Sequence, residues 1–218
     1  MKKTSSILAL IVIIMTLCFF LSGCYNNNNK TDLDIQSKDR SKFEGVNPII
    51  NLDDYKTDDN SLSNFSFEKI FFYIDEKKSI VSEVYEKKDT RSVSILPIDA
   101  SNGSYIIEIG KKEPGYHYFD DSYDDSDMAK LAIFDVIDSQ KSDNQLLIES
   151  LFSLSLLNKN AYGVQYEIKN LHKSICIYMV YDGDLYFFDL KDTNNPADIT
   201  KTQGFEIYME VFCSLNTN

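Results

Sequence analysis

Apolar residues fall into short runs along the chain, and most of these runs predict β-strands. Alternation of apolar and polar positions is typical of a strand with one buried face, and a short continuous apolar run suits a strand that is covered on both faces. These patterns predict five strands in the first half of the folded region, over 69–75, 79–86, 93–98, 104–109 and 116–119. Pro97 lacks an N–H, so 93–98 is expected at a sheet edge, and 111–115 (KKEPG) is predicted to join the last two strands as a hairpin.

The clearest prediction is a β-hairpin over 174–190 (SICIYMVYDGDLYFFDL). Asp182-Gly183 separates two apolar runs, and a type I′ turn favours this pair because both of its central residues have positive φ. The run 175–181 is apolar on both faces, which predicts a central strand. We expect 164–168 to pair as well.

Three segments bear on the helices. A helix is predicted over 143–157, where Ser142 and Gln145 form a capping-box pair and Leu147, Ile148, Leu151, Phe152 and Ser155 share one face. The run 131–137 suits a helix or a strand. The run 205–215 also fits both, and its alternation slightly favours a strand. The predicted fold is α+β, an antiparallel sheet packed against one or two helices.

The N-terminus has the features of an export signal. Lys2 and Lys3 precede residues 7–21, of which fourteen of fifteen are apolar. A cationic start, a short apolar core and small residues at a cleavage point indicate a signal peptide. An apolar core of this length is short for a transmembrane helix.

The tetrapeptide Leu21-Ser22-Gly23-Cys24 resembles the lipobox of bacterial lipoproteins. The resemblance implies cleavage before Cys24, a diacylglycerol on its thiol and attachment to the outer face of the cytoplasmic membrane. Two or three acyl chains anchor a protein durably. The chain then divides into a signal peptide (1–23), a tether (24–64) and a folded domain (65–218). Only 11 of the 41 tether residues are hydrophobic, so a flexible acidic linker is expected there.

The order of elements in the second half resembles the GerMN domain of spore-germination and sporulation lipoproteins. The residues that carry the resemblance are 151–154 (LFSL), 173–181 (KSICIYMVY), Asp182-Gly183 and 186–190 (YFFDL). The resemblance implies a helix at 151–154 and a closing helix at 205–215. It also implies an envelope interaction module without catalytic residues.

Composition excludes some functions. The net charge of −12 argues against nucleic-acid binding, which depends on clustered Lys and Arg. Two His and no CxxC motif make a zinc site improbable. Neither His117 nor His172 is near a Gly-x-Ser-x-Gly motif, which the chain lacks.

Two clusters are candidates for chemistry or covalent structure. Five carboxylates fall within nine residues, and extracellular Ca²⁺ is a candidate ligand for them, although a solvated acidic loop is the simpler explanation. They are Asp120, Asp121, Asp124, Asp125 and Asp127. Outside the cytoplasm, Cys176 and Cys213 could form a disulfide or remain two buried thiols.

These features predict a membrane-anchored lipoprotein that binds an envelope protein or a small ligand and requires no cofactor. Two alternatives remain open. One is an envelope hydrolase with paired carboxylates acting on glycan or peptide. The other is an inhibitor or immunity lipoprotein.

Overall fold

Ten strands and two α-helices account for most of the residues that the structure describes. The structure is a computed structural model, and it describes residues 62–87, 89–99, 105–112, 123–140 and 146–216. The strands are β1 (Ser63–Phe67), β2 (Ile70–Ile74), β3 (Ser79–Val81), β4 (Tyr85–Lys87), β5 (Thr90–Pro97), β6 (Tyr105–Lys112), β7 (Leu146–Leu156), β8 (Lys159–Ile168), β9 (His172–Tyr181) and β10 (Asp184–Asp192). The helices are α1 (Asp125–Gln140) and α2 (Gln203–Ser214), and a 3₁₀ turn at Ile199–Lys201 precedes α2.

Eight of the strands form one antiparallel sheet. Its order is β3-β5-β6-β10-β9-β8-β7, and β4 pairs with β5 on the same edge as β3. Strands β1 and β2 form a separate antiparallel hairpin. The predicted α+β class, an antiparallel sheet packed against two helices, is confirmed.

The two faces of the sheet differ in composition because successive side chains along a strand point to opposite faces. One face, here called the core face, packs against α2 and the β1–β2 hairpin. It buries residues such as Ile107, Ile109, Ile177 and Phe188 at the main hydrophobic core. The opposite face, here called the cleft face, packs against α1, which contacts β8 and β9.

The hairpin prediction over 174–190 is confirmed. Strands β9 and β10 pair directly, and the turn residues Asp182 and Gly183 have φ of 50° and 79°. Strand β8 pairs with β9 as expected, and the middle of β9 is buried on both faces.

The predicted helix over 143–157 is wrong, because residues 146–156 form the edge strand β7. Phe152 and Leu156 are buried and Leu154 packs on the same core, which is an alternation of period two. The strand is rich in Leu, and the spacing of its apolar residues also happens to fit one face of a helix. The GerMN-like helix at 151–154 is contradicted by the same observation.

The strand favoured over 205–215 is also wrong, because this run lies in α2. The Thr202 hydroxyl caps the helix by accepting a hydrogen bond from Phe205 N at 3.2 Å. Both Tyr208 and Phe212 are buried, and a strand that buried the odd positions would have exposed them. The ambiguous run 131–137 is helical, within α1.

Two predictions near the sheet edge formed by β3 and β4 need correction. The run 79–86 is two short strands, since Ser94 N donates to Ser82 Oγ at 2.9 Å and the chain leaves the ladder there. Strand β5 is paired on both sides, so it is not an edge strand. Pro97 is tolerated because the ladder between β5 and β6 ends at Ile95.

Several predictions fall outside the described residues. They concern the signal peptide, Cys24, almost all of the tether and the strand at 116–119. The first described strand, β1, begins at Ser63. Lys111 and Lys112, expected in a turn, are the last residues of β6. In the part of the chain that is described, no helix has the length and hydropathy of a membrane span.

Candidate functional site

A polar cleft of about 240 Å³ opens on the cleft face, beside the C-terminal end of α1. Its walls come from strands that are distant in sequence, namely β4, β5, β6, β8, β9 and β10. The side chains that matter below are Tyr85, Ser92, Glu108, Lys112, Cys176, Phe187, Asp189 and Lys191.

Strand register explains why these side chains converge. Asp189 of β10 lies directly opposite Cys176 of β9 on one side and Glu108 of β6 on the other. Directly opposed residues on neighbouring strands point to the same face. Three adjacent strands therefore place a thiol and two carboxylates in one row.

Asp189 and Lys191 form the central ion pair of the cleft. Lys191 Nζ lies 2.9 Å from Asp189 Oδ2, and Asp189 is only 8% exposed. Asp189 Oδ1 is buried and has no hydrogen-bond partner. Burial raises the pKa of the Asp189 carboxyl, while the nearby carboxylate raises the pKa of the Lys191 ammonium.

Glu108 is the second carboxylate of the cleft. Its Oε1 accepts a hydrogen bond from Ser92 Oγ at 2.7 Å, and its Oε2 lies 4.0 Å from Lys191 Nζ. Unlike Asp189, both Glu108 and Lys191 are partly accessible, with 30% and 37% of their side chains exposed. The cleft therefore presents one accessible carboxylate and one accessible ammonium side by side.

Apolar and aromatic groups line the rest of the cleft. The rings of Tyr178 and Phe187 lie 5.9 Å apart, and Lys112 Nζ lies 5.4 Å from the centroid of the Phe187 ring. Burial lowers the pKa of Lys112. Tyr85 is 63% exposed at the rim. A ligand would meet aromatic surface as well as charge.

His172 lies at the start of β9, on the same face. Its ring meets that of Tyr166 edge-on at 6.2 Å, and its buried Nε2 has no hydrogen-bond partner. Burial and the positive charge of Lys191 lower the pKa of His172. His117 is outside the described residues.

The chemistry available in the cleft is recognition of a polar ligand by fixed charges. Burial raises the pKa of the Cys176 thiol well above its usual value, which makes it a poor nucleophile. Among the described residues, no group of three or more His, Cys, Asp or Glu is arranged to hold a metal ion.

The Asp-rich segment lies elsewhere, at the start of α1. Asp124 Oδ1 accepts a hydrogen bond from Asp127 N at 2.7 Å, as a helix cap does. Asp125 lies 3.6 Å from Lys159 Nζ, and Asp127 lies 3.7 Å from Lys130 Nζ. These contacts give three of the carboxylates structural partners. Asp120 and Asp121 are outside the described residues, so the calcium site stays a prediction.

Cys176 and Cys213 are not bonded to each other in the structure. Cys176 points to the cleft face, whereas Cys213 of α2 packs against the hydrophobic core on the other face. A disulfide between them would require the sheet between them to open.

Sequence reasoning did not single out the charged residues of the cleft. One signal was present, because Asp189 interrupts the apolar run 186–190 (YFFDL). A carboxylate within a strand that is otherwise buried needs a partner or a function.

The fold defines an α+β domain with an antiparallel sheet and two helices, and comparisons with known proteins do not narrow this class. No family model matches the chain, so the resemblance to GerMN domains has no support from that comparison. No curated protein matches either.

Solved structures show distant likenesses. One is cyanobacterial PsbP (CyanoP) from Synechocystis sp. PCC 6803, which is 14% identical with a TM-score of 0.47, over 72% of this chain and 93% of that one. Another is a Pseudomonas aeruginosa protein of unknown function, described as a candidate regulator. It is 11% identical with a TM-score of 0.34, over 64% of this chain and 87% of that one. Scores this low assign neither fold nor function.

Proposed function

We propose that the chain is a lipid-anchored binding module of the bacterial cell envelope, and that the cleft on the cleft face is its binding site. The anchor is the lipid on Cys24, which holds the domain outside the cytoplasmic membrane. The ligand is an envelope protein or a small molecule that places a polar group in the cleft.

The observation that carries this proposal is the group of charges at the floor of an open cleft. Removing charged groups from water costs free energy even when they are paired. Asp189 is buried beside Lys191 and keeps one oxygen without a partner. Perturbed groups of this kind cluster at functional sites.

Photo-crosslinking in intact cells tests this proposal. A photoreactive phenylalanine analogue replaces Tyr85 at the rim of the cleft, and in a control it replaces Tyr73 on the β1–β2 hairpin. Both positions are exposed tyrosines, at 63% and 36%. Adducts are measured by mass, so that a protein and a small molecule are both recorded.

We expect an adduct from position 85, none from position 73, and loss of the adduct with Cys24→Ala. Adducts from position 73 alone would place the binding surface elsewhere. The absence of any adduct from position 85 would contradict a binding role for the cleft.

A second candidate is an envelope hydrolase, favoured by the pairing of Glu108 with Asp189 across β6 and β10. Hydrolysis of a glycosidic bond uses two carboxyl groups, one of which has a raised pKa. The Asp189 pKa is raised. Hydrolysis of an envelope glycan that is abolished by both Glu108→Gln and Asp189→Asn would favour this candidate over a binding module.

A further inference from the structure

The accessible charges in the cleft specify a ligand class. We propose that the cleft binds a compact zwitterion, a molecule that carries an ammonium and a carboxylate on the same carbon, as a free α-amino acid does. This inference rests on the proposed function, because it names the ligand of the same cleft.

Glu108 and Lys191 form an open pair of opposite charges in the cleft. Their charged atoms lie 4.0 Å apart, at the outer limit of an ion pair, and both side chains remain partly exposed. A second contact fixes the position of each charged group. Ser92 Oγ binds the other oxygen of Glu108 at 2.7 Å, and Asp189 Oδ2 holds the Lys191 ammonium at 2.9 Å. The cleft thus presents two opposite charges in a fixed orientation.

A zwitterion complements such a pair when it lies antiparallel to it. Its ammonium then meets Glu108 while its carboxylate meets Lys191. A ligand with a single charge meets one attractive and one repulsive group, so its net electrostatic gain is smaller. Fixed opposite charges therefore favour a zwitterion over an amine or an acid of similar size.

The volume of the cleft limits the size of its ligand. Pockets for drug-sized ligands have volumes of about 300–1,000 Å³, and this cleft has about 240 Å³. The ligand is therefore small. Phe187 and Tyr178 supply an apolar surface beside the charges for one short side chain.

Isothermal titration calorimetry on the full chain in detergent tests the inference. The probes are the common L- and D-α-amino acids, each compared with an amine and an acid of the same shape. For alanine these are isopropylamine and isobutyrate. We expect saturable binding of at least one amino acid, and at least tenfold weaker binding of its matched amine and acid.

Variants assign the binding to the cleft. Glu108→Gln removes the charge but can still accept the Ser92 hydrogen bond, and it is expected to weaken binding at least tenfold. Ser92→Ala, which frees the Glu108 carboxylate to rotate, should weaken binding less. The control is Glu210→Gln on α2, which makes the same charge change at an ion pair with Lys78 and should leave binding unchanged.

Three outcomes would overturn the inference. They are no binding by any amino acid, equal binding of the matched amine or acid, and unchanged binding by Glu108→Gln. Failure here is distinguishable from failure of the proposed function. A crosslinked adduct at position 85 with the mass of another ligand would leave the binding module intact and refute only the zwitterion.

Discussion

The ring of Phe187 occupies the space beside Gly110, its cross-strand partner in β6, where a side chain would otherwise lie. A Cβ at Gly110 would lie 2.2 Å from Phe187 Cζ and 2.9 Å from the carbonyl oxygen of Arg91. The same arrangement occurs on the core face, where Phe152 covers Gly163. Aromatic cover of a strand glycine pins register in sheets, and at Gly110 it also sets the floor of the cleft.

Gly110→Ala is expected to destabilise the fold and to disturb the cleft. The added methyl group forces the Phe187 ring to move, and overpacking of this kind costs about 1–3 kcal/mol. Urea denaturation measures the loss of unfolding free energy. The crosslinking yield from position 85 should fall as well.

Gly163→Ala is the matched control for that experiment. Its Cβ would lie 2.4 Å from Phe152 Cζ, so a similar loss of stability is expected. The crosslinking yield should be unchanged, because Phe152 lies on the core face. Equal yields for the two variants would show that the Phe187 ring does not shape the cleft.

Gly183→Ala tests the turn between β9 and β10. Gly183 has a φ of 79° and nothing lies within 4 Å of an added Cβ, so the cost is one of backbone conformation alone. That cost is about 1–2 kcal/mol. Thermal or urea unfolding measures it. Gly183→Asn should cost less, because Asn adopts positive φ more readily, and a larger loss for Asn would contradict this account.

The two thiols should differ in reactivity. Cys176 is 3% exposed and burial raises its pKa, whereas Cys213 is half-buried. We expect a maleimide to modify Cys213 first, with Cys176 reacting only after denaturation. Peptide mapping with and without reductant makes the measurement. A disulfide-linked peptide containing both residues would contradict the structure.

Stability should respond to pH through His172. Burial lowers the folded-state pKa below its usual value of 6.5, so below that pH the unfolded chain binds a proton that the folded chain does not. The unfolding free energy should therefore fall as the pH drops through 6.5 towards the folded-state pKa. In His172→Gln this part of the pH dependence should be absent. An unchanged profile would mean that His172 is not the responsible group.

The β9–β10 hairpin has a standard turn signal and was predictable, whereas the β7–β8 hairpin has none and was not. Asp182-Gly183 marks the β9–β10 turn in the sequence. The β7–β8 turn instead uses Leu157 and Asn158, with φ of 50° and 60°, and its first residue is one that such turns disfavour. The strand character of β7 comes from its pairing with β8. The spacing of apolar residues within 146–156 shows neither the turn nor the pairing with β8. The Leu-rich run was therefore interpreted as a helix.

The cleft could not be predicted from the sequence for a related reason. Glu108, Cys176 and Asp189 come together only through the sheet order, in which β6 lies beside β10. Glu108 and Asp189 are 81 positions apart in the sequence, and nothing in the sequence shows that their strands are adjacent. The sequence does show that Asp189 is an isolated charge in an apolar strand. It does not show which residues pair with Asp189.

The β1–β2 hairpin brings the two ends of the domain together. Phe71 N and Asn216 O lie 2.9 Å apart, as do Asn216 N and Phe71 O. The first hairpin of the described chain therefore contacts its last described residue. Both ends lie on the core face, and the cleft opens on the other. The contact between Phe71 and Asn216 therefore leaves the mouth of the cleft unobstructed. The described chain thus starts and finishes on one side of the sheet, and a ligand reaches the cleft from the other side.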